Sequence, residues 1–201
     1  DGLARAGVLR TAHGDVPTPA FMPVGTAATV KSLHPDEVRE AGAHILLGNT
    51  YHLHFRPGAD VIAELGGLHA FMGWDGPILT DSGGYQVFSL ADLRRLDEDG
   101  VEFRSHIDGA LVRLTPQRSI AVQNALGADI IMAFDECPPL PATRAALDAA
   151  VRRTVAWARL SKAAHQRTDQ ALYGIVQGGL DVALRRACLA DLVEIGFDGY
   201  A

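Results

Sequence analysis

Three polar side chains stand where an apolar run gives way to a loop: Asp81 after Pro77-Ile78-Leu79-Thr80, Asp135 after Ile130-Ile131-Met132-Ala133-Phe134, and Gln177 after Leu172-Tyr173-Gly174-Ile175-Val176. A short apolar run, then a polar residue, then Gly or Pro is how a buried strand entering a loop reads. If such strands are parallel, their C-terminal ends share one mouth, and two carboxylates and a carboxamide distant in sequence can line one pocket. That set suits a guanine-like base. Its N1–H and exocyclic amine form a paired donor edge that one carboxylate accepts in bidentate fashion, and Asp135 is the candidate acceptor. The adjacent O6 needs a donor, from the amide of Gln177 or a backbone N–H of Gly178-Gly179. In Asp81-Ser82-Gly83-Gly84-Tyr85-Gln86, Tyr85 offers a flat face for stacking and the glycines let the backbone approach a ligand closely. Taken singly, these residues have plainer uses: an Asp after a strand commonly caps a helix, Gly-Gly marks turns, and Cys137 reads as a small buried apolar residue.

The elements that must position them follow from the same pattern. A fourth apolar run, Ile45-Leu46-Leu47, ends in Gly48-Asn49-Thr50, and helix-like stretches lie between the runs. Pro35 with Asp36-Glu37 makes a favourable first turn, while Thr115-Pro116 supplies an N-cap and a proline at the first helical position of a helix that Gly127 ends. The clearest helix covers about Thr143 to Gln166, with Leu147, Val151, Val155 and Ala158 on one stripe and Arg152, Arg153, Arg159 and Lys162 on other faces. Apolar strands alternating with helices imply an α/β fold whose parallel sheet is covered on both faces or closed into a barrel. Asp108-Gly109, between Val101-Glu102-Phe103 and Leu111-Val112-Arg113-Leu114, reads as the turn of an antiparallel hairpin inserted into the βα series.

With 201 residues and 48% hydrophobic composition, the chain can bury a substantial core as a single domain over 1–201. Eighteen Lys+Arg against 24 Asp+Glu give a net charge of -6, which argues against holding nucleic acid by overall electrostatics, so any RNA contact is local or lies elsewhere. The two cysteines, Cys137 and Cys188, lack CxxC spacing and suggest neither a disulfide framework nor a cysteine zinc site. No signal-like segment or spanning apolar run occurs, which points to the cytoplasm and away from membranes. The first residue is not Met, and Gly196-Phe197-Asp198-Gly199-Tyr200-Ala201 reads as the start of another strand, so a fragment of a longer protein is expected.

Six segments in order, Phe21-Met22-Pro23-Val24-Gly25-Thr26, Leu47-Gly48-Asn49-Thr50-Tyr51-His52-Leu53, Leu79-Thr80-Asp81-Ser82-Gly83-Gly84-Tyr85-Gln86-Val87-Phe88-Ser89-Leu90, Phe134-Asp135-Glu136-Cys137, Gly174-Ile175-Val176-Gln177-Gly178-Gly179 and Gly196 to Ala201, together resemble the tRNA-guanine transglycosylases, also called queuine tRNA-ribosyltransferases, of bacterial type. The resemblance implies a (β/α)8 TIM-type barrel of which this chain is the N-terminal portion. It also implies a pentosyltransferase that exchanges the guanine at the tRNA anticodon wobble position for a 7-deazaguanine in queuosine biosynthesis, with configuration retained by two displacements. By position, Asp81 matches the family's acid/base aspartate, Asp135 and Gln177 its base-recognising residues, and Tyr85 its stacking aromatic, with Ser82, Gly83 and Gly84 lining the pocket. The resemblance places the nucleophilic aspartate, a Cys/His zinc site and the basic tRNA-holding elements beyond this chain. These residues alone are therefore expected to be inactive and to hold no metal, the zinc belonging to the complete protein, a homodimer as its relatives are.

Two other readings compete. His52-Leu53-His54, with His44 as a third ligand, would suit a metal-dependent hydrolase barrel if the pair lay on one side of a strand. A non-catalytic partner subunit is the second, although it would have no need of Asp81, Asp135 and Gln177 together.

Overall fold

The computed structural model describes residues 2–90 and 94–201. In chain order the elements are β1 (Gly7–Thr11), β2 (Gly14–Thr18), β3 (Val24–Gly25), α1 (Pro35–Glu40), β4 (Leu46–Gly48), α2 (Thr50–Phe55), α3 (Ala59–Glu64), α4 (Gly67–Met72), β5 (Ile78–Thr80), α5 (Gly84–Leu90), β6 (Arg94–Asp97), β7 (Gly100–Arg104), β8 (Leu111–Leu114), α6 (Pro116–Leu126), β9 (Ile130–Met132), α7 (Arg144–Ala164), β10 (Ala171–Gly174), α8 (Val182–Ile195) and β11 (Gly199–Tyr200). They fall into two compact units, one of Asp1–Asp81, Gln123–Ile131 and Arg167–Ala171, the other of Ser82–Val122, Met132–Gln166 and Leu172–Ala201. No helix among the described residues is long and apolar enough to cross a membrane.

In the first unit β3, β4, β5 and the start of β9 run parallel, with Val24 opposite Leu47, Leu46 opposite Ile78, and Leu79 opposite Ile130. Val24 of β3 is 49% exposed, whereas β5 and the start of β9 are buried on both faces and β4 nearly so, with Leu46, Ile78, Ile130 and Ile131 at most 2% exposed, which is why they read as unbroken apolar runs. Each such side chain contributes about 1.5–3 kcal/mol on leaving water. Helix α1 begins with a capping box in which Glu37 accepts the His34 N–H at 2.7 Å and the His34 ring accepts the Asp36 N–H. The antiparallel hairpin β1–β2 gives no apolar run, and sequence patterning missed it.

The second unit holds β10 and β11 in parallel register, Tyr173 opposite Gly199, beside helices α5, α7 and α8. Thr143 caps α7, accepting the Ala146 N–H at 3.2 Å, and Leu147, Val151, Val155 and Ala158 form its buried stripe as expected. The hairpin around Asp108-Gly109 is present as β7–β8, with Val101 opposite Leu114, but it carries a third strand, β6. Its turn is longer than an Asp-Gly step, because Ser105 donates to the Ala110 carbonyl at 2.8 Å and Gly109 takes the left-handed φ of 73° within the loop.

His52 and His54 lie on helix α2, not on a strand. Residues two apart on a helix point to nearly opposite sides, so the pair cannot share a metal as it would along a strand. Their rings pack against aromatic neighbours, His52 edge-on to Tyr51 and His54 tilted against Phe55.

Candidate functional site

Four of the residues singled out in the sequence come together in the second unit. The Ser82 hydroxyl donates to Asp135 Oδ1 at 2.8 Å, and the Gln177 amide donates to Asp135 Oδ2 at 2.7 Å. Gly84 completes the group, since its N–H donates to Ser82 Oγ at 3.1 Å and a β-carbon there would stand 2.8 Å from the Asp135 carbonyl oxygen. Gly83 makes the elbow before α5, with a left-handed φ of 78° that side chains disfavour. Tyr85 projects at 63% exposure, a ring face open to a ligand.

Asp135 is itself 4% exposed. A buried carboxylate is costly unless hydrogen-bonded, and the Ser82 and Gln177 donors meet part of that demand. An ionised carboxylate accepts through both oxygens, and a paired donor edge is the partner such a group recognises. The segment carrying it is tied down at every second residue or closer: Ala133 N–H to the Tyr173 carbonyl at 2.8 Å, Phe134 N–H to Ser161 Oγ at 3.1 Å, and Glu136 N–H to Thr154 Oγ1 at 3.1 Å. Gln177 is steadied by Cys188 of α8, whose sulfur accepts its backbone N–H at 3.4 Å. Cys137 is half-buried, and burial, then the charge of Asp135, push its thiol above the usual range, against a hydrogen bond with Gln177. At neutral pH it is therefore a neutral S–H.

Asp81 belongs to the first unit, directly after β5. There its carboxylate accepts Asn49 Nδ2–H at 2.5 Å and the Thr50 N–H at 2.9 Å, while the Thr50 hydroxyl donates to the Asp81 carbonyl at 2.6 Å. Asn49 and Thr50 are 9% and 1% exposed. Both hold Asp81, and both stand in the Gly48-Asn49-Thr50 strand end that the sequence marks without giving either a role.

One grouping among the described residues has the donor chemistry of a metal site: His13, His69 and Asp129, whose ligand atoms lie within 4.8 Å of one another. It does not fit zinc. The two imidazoles are stacked, 3.6 Å between centroids and 18° between planes, so their in-plane lone pairs run side by side and do not converge on one ion. Asp129 already accepts four N–H groups, from His13 N and Nδ1 at 3.0 and 2.9 Å, from Ile78 N at 2.9 Å and from His69 Nε2 at 3.1 Å. Burial opposes its charge, but the hydrogen bonds from His69, Ile78 and His13 outweigh it and hold this carboxyl well below the usual carboxylate range. The cluster fastens the β1–β2 turn to the start of β5 and β9.

The whole chain, residues 1–201, matches the family model described as queuine tRNA-ribosyltransferase. The chain belongs to that family. Relatives bearing the same name include proteins of Gloeobacter violaceus and Methylobacillus flagellatus, each 61% identical over 201 residues, and of Jannaschia sp., 62% identical over 201 residues. All of this chain is covered in each comparison, against 53%, 54% and 54% of the relative, so the chain spans about half the length of the curated relatives it matches.

Proposed function

We propose that the full-length protein is a transglycosylase that exchanges guanine at the anticodon wobble position of tRNA for a 7-deazaguanine in queuosine biosynthesis. The observation that carries this reading is Asp135, buried and held by Ser82 and Gln177. In the exchange, an aspartate outside these residues attacks ribose C1′, the C1′–N9 bond breaks, and guanine leaves with the bond's electron pair and takes up a proton. The incoming base then loses its N9 proton and attacks the same carbon, releasing the aspartate; two inversions retain configuration. Asp81 handles the proton in both steps, Asp135 and Gln177 read the base edge, Ser82, Gly83 and Gly84 shape the pocket wall, and Tyr85 stacks on the base.

The complete fold is a (β/α)8 barrel, one domain to which these residues contribute the N-terminal portion with the β6–β7–β8 sheet inserted. Zinc, in the complete protein, is held by Cys and His residues beyond Ala201, the two cysteines here being Cys137 beside Asp135 and Cys188 within α8. The protein works as a cytoplasmic homodimer on the tRNA anticodon loop. Labelled-guanine exchange into a tRNA with G at the wobble position tests the reading: the wild type exchanges, and Asp135→Ala raises the guanine KM by roughly 10- to 100-fold, as expected for loss of a buried bidentate pair. Binding of tRNA without exchange would instead identify a partner subunit.

A further inference from the structure

Helix α7 presents a charged residue to the strand end that carries Asp135. Arg153 donates from Nε to Glu136 Oε2 at 2.7 Å, and both side chains are largely buried, 16% and 9% exposed. A second arm, Nη1 to Glu98 Oε1 at 3.1 Å, reaches a carboxylate that is 81% exposed, where an ion pair contributes little. The pair that matters is thus Arg153–Glu136, and Glu136 is the residue next to Asp135. Resting on the function proposed above, we infer that Arg153 is a positioning residue for base recognition: by pairing with Glu136 it fixes the Asp135 backbone and screens the Asp135 carboxylate from a second buried negative charge.

The chemistry follows from charge and burial. Glu136 cannot remain ionised and buried without a partner, so loss of Arg153 drives it either to take a proton or to swing toward water. Swinging moves the peptide it shares with Asp135. While ionised and unpaired, Glu136 is a negative charge one residue from Asp135, and a neighbouring like charge disfavours the ionised form of a carboxyl. Neither effect touches the proton-transfer group, Asp81, so binding of the base suffers more than turnover.

The test uses the full-length protein with Arg153→Met, Glu136→Gln and the double variant. Arg153→Met raises the guanine KM at least about 10-fold with kcat within about threefold, and the Asp135 carboxyl, followed by 13C NMR titration, titrates at higher pH than in the wild type. Glu136→Gln in the Arg153→Met background removes the unpaired charge, returning the titration to the wild-type position and the KM to within about threefold. Should Arg153→Met not yield folded protein, Glu136→Gln alone carries the test, since the remaining Arg153 charge then lowers the Asp135 titration. An unmoved titration in both, or a KM and kcat that fall together without recovery in the double variant, overturns the inference. A wild type that fails to exchange guanine sinks the proposed function alone, because the NMR titration does not depend on activity.

Discussion

Gly84→Ala sets two opposite effects against each other. Gly84 opens α5 in an ordinary backbone conformation, and alanine is favoured over glycine in helices by up to about 1 kcal/mol. Against this, the new methyl would stand 2.8 Å from the Asp135 carbonyl oxygen and 3.1 Å from both Asp135 Oδ1 and Ser82 Oγ. Ordinary contact begins near 3.4 Å, so the Ser82–Gly84 turn must retreat by roughly half an ångström, the obstructing carbonyl being backbone. Crowding of this kind costs about 1–3 kcal/mol and outweighs the helix gain. The same retreat stretches the 2.8 Å Ser82–Asp135 hydrogen bond past its useful range. A hydrogen bond to a charged group is worth about 1.5–3 kcal/mol, so guanine KM should rise about 10-fold or more. Guanine exchange kinetics and thermal denaturation of the full-length variant measure both quantities. A variant as stable as the wild type, with unchanged KM, would refute the claim that this glycine is required by close approach to Asp135.

Asp81→Asn should lower kcat by about 100- to 10,000-fold with little change in guanine KM, since it removes a proton-transfer group; single-turnover exchange reads it. Asp129→Asn should cost about 3 kcal/mol at pH 7, because an amide nitrogen would then face donor N–H groups, and denaturant midpoints measure the loss. The sign of its pH dependence follows from the depressed folded-state pKa: the wild-type advantage is present above the ordinary value of 3.8 and shrinks as pH falls below it toward the folded-state value.

Strand ends and helix starts were legible in the sequence because burial and capping leave local signatures: β4, β5, β9 and β10 lie within or beside the apolar runs, and Pro35, Thr115 and Thr143 mark helix starts. The family resemblance named Ser82, Asp135 and Gln177, which hydrogen-bond to one another, whereas the strand-end pattern had grouped Asp81 with Asp135 and Gln177. What was not legible depends on partners distant in sequence. The β1–β2 hairpin is fastened by His13 to Asp129, a pairing 116 residues long that no local rule signals. Asn49 and Thr50 looked like loop punctuation until Asp81 supplied the acceptor, and Arg153 looked like one more cation on the outer face of α7. His52-Leu53-His54 misled because period-two spacing carries meaning only on a strand, and α2 is a helix.

The most direct test of the central claim, that Asp135 is the acceptor for a purine donor edge, is a crystal structure of the full-length protein with guanine bound. Guanine N1 and the exocyclic nitrogen should each lie about 2.7–3.2 Å from an Asp135 carboxylate oxygen, with Ser82 and Gln177 beside them. Guanine bound away from Asp135, or with its O6 turned toward that carboxylate, would contradict it.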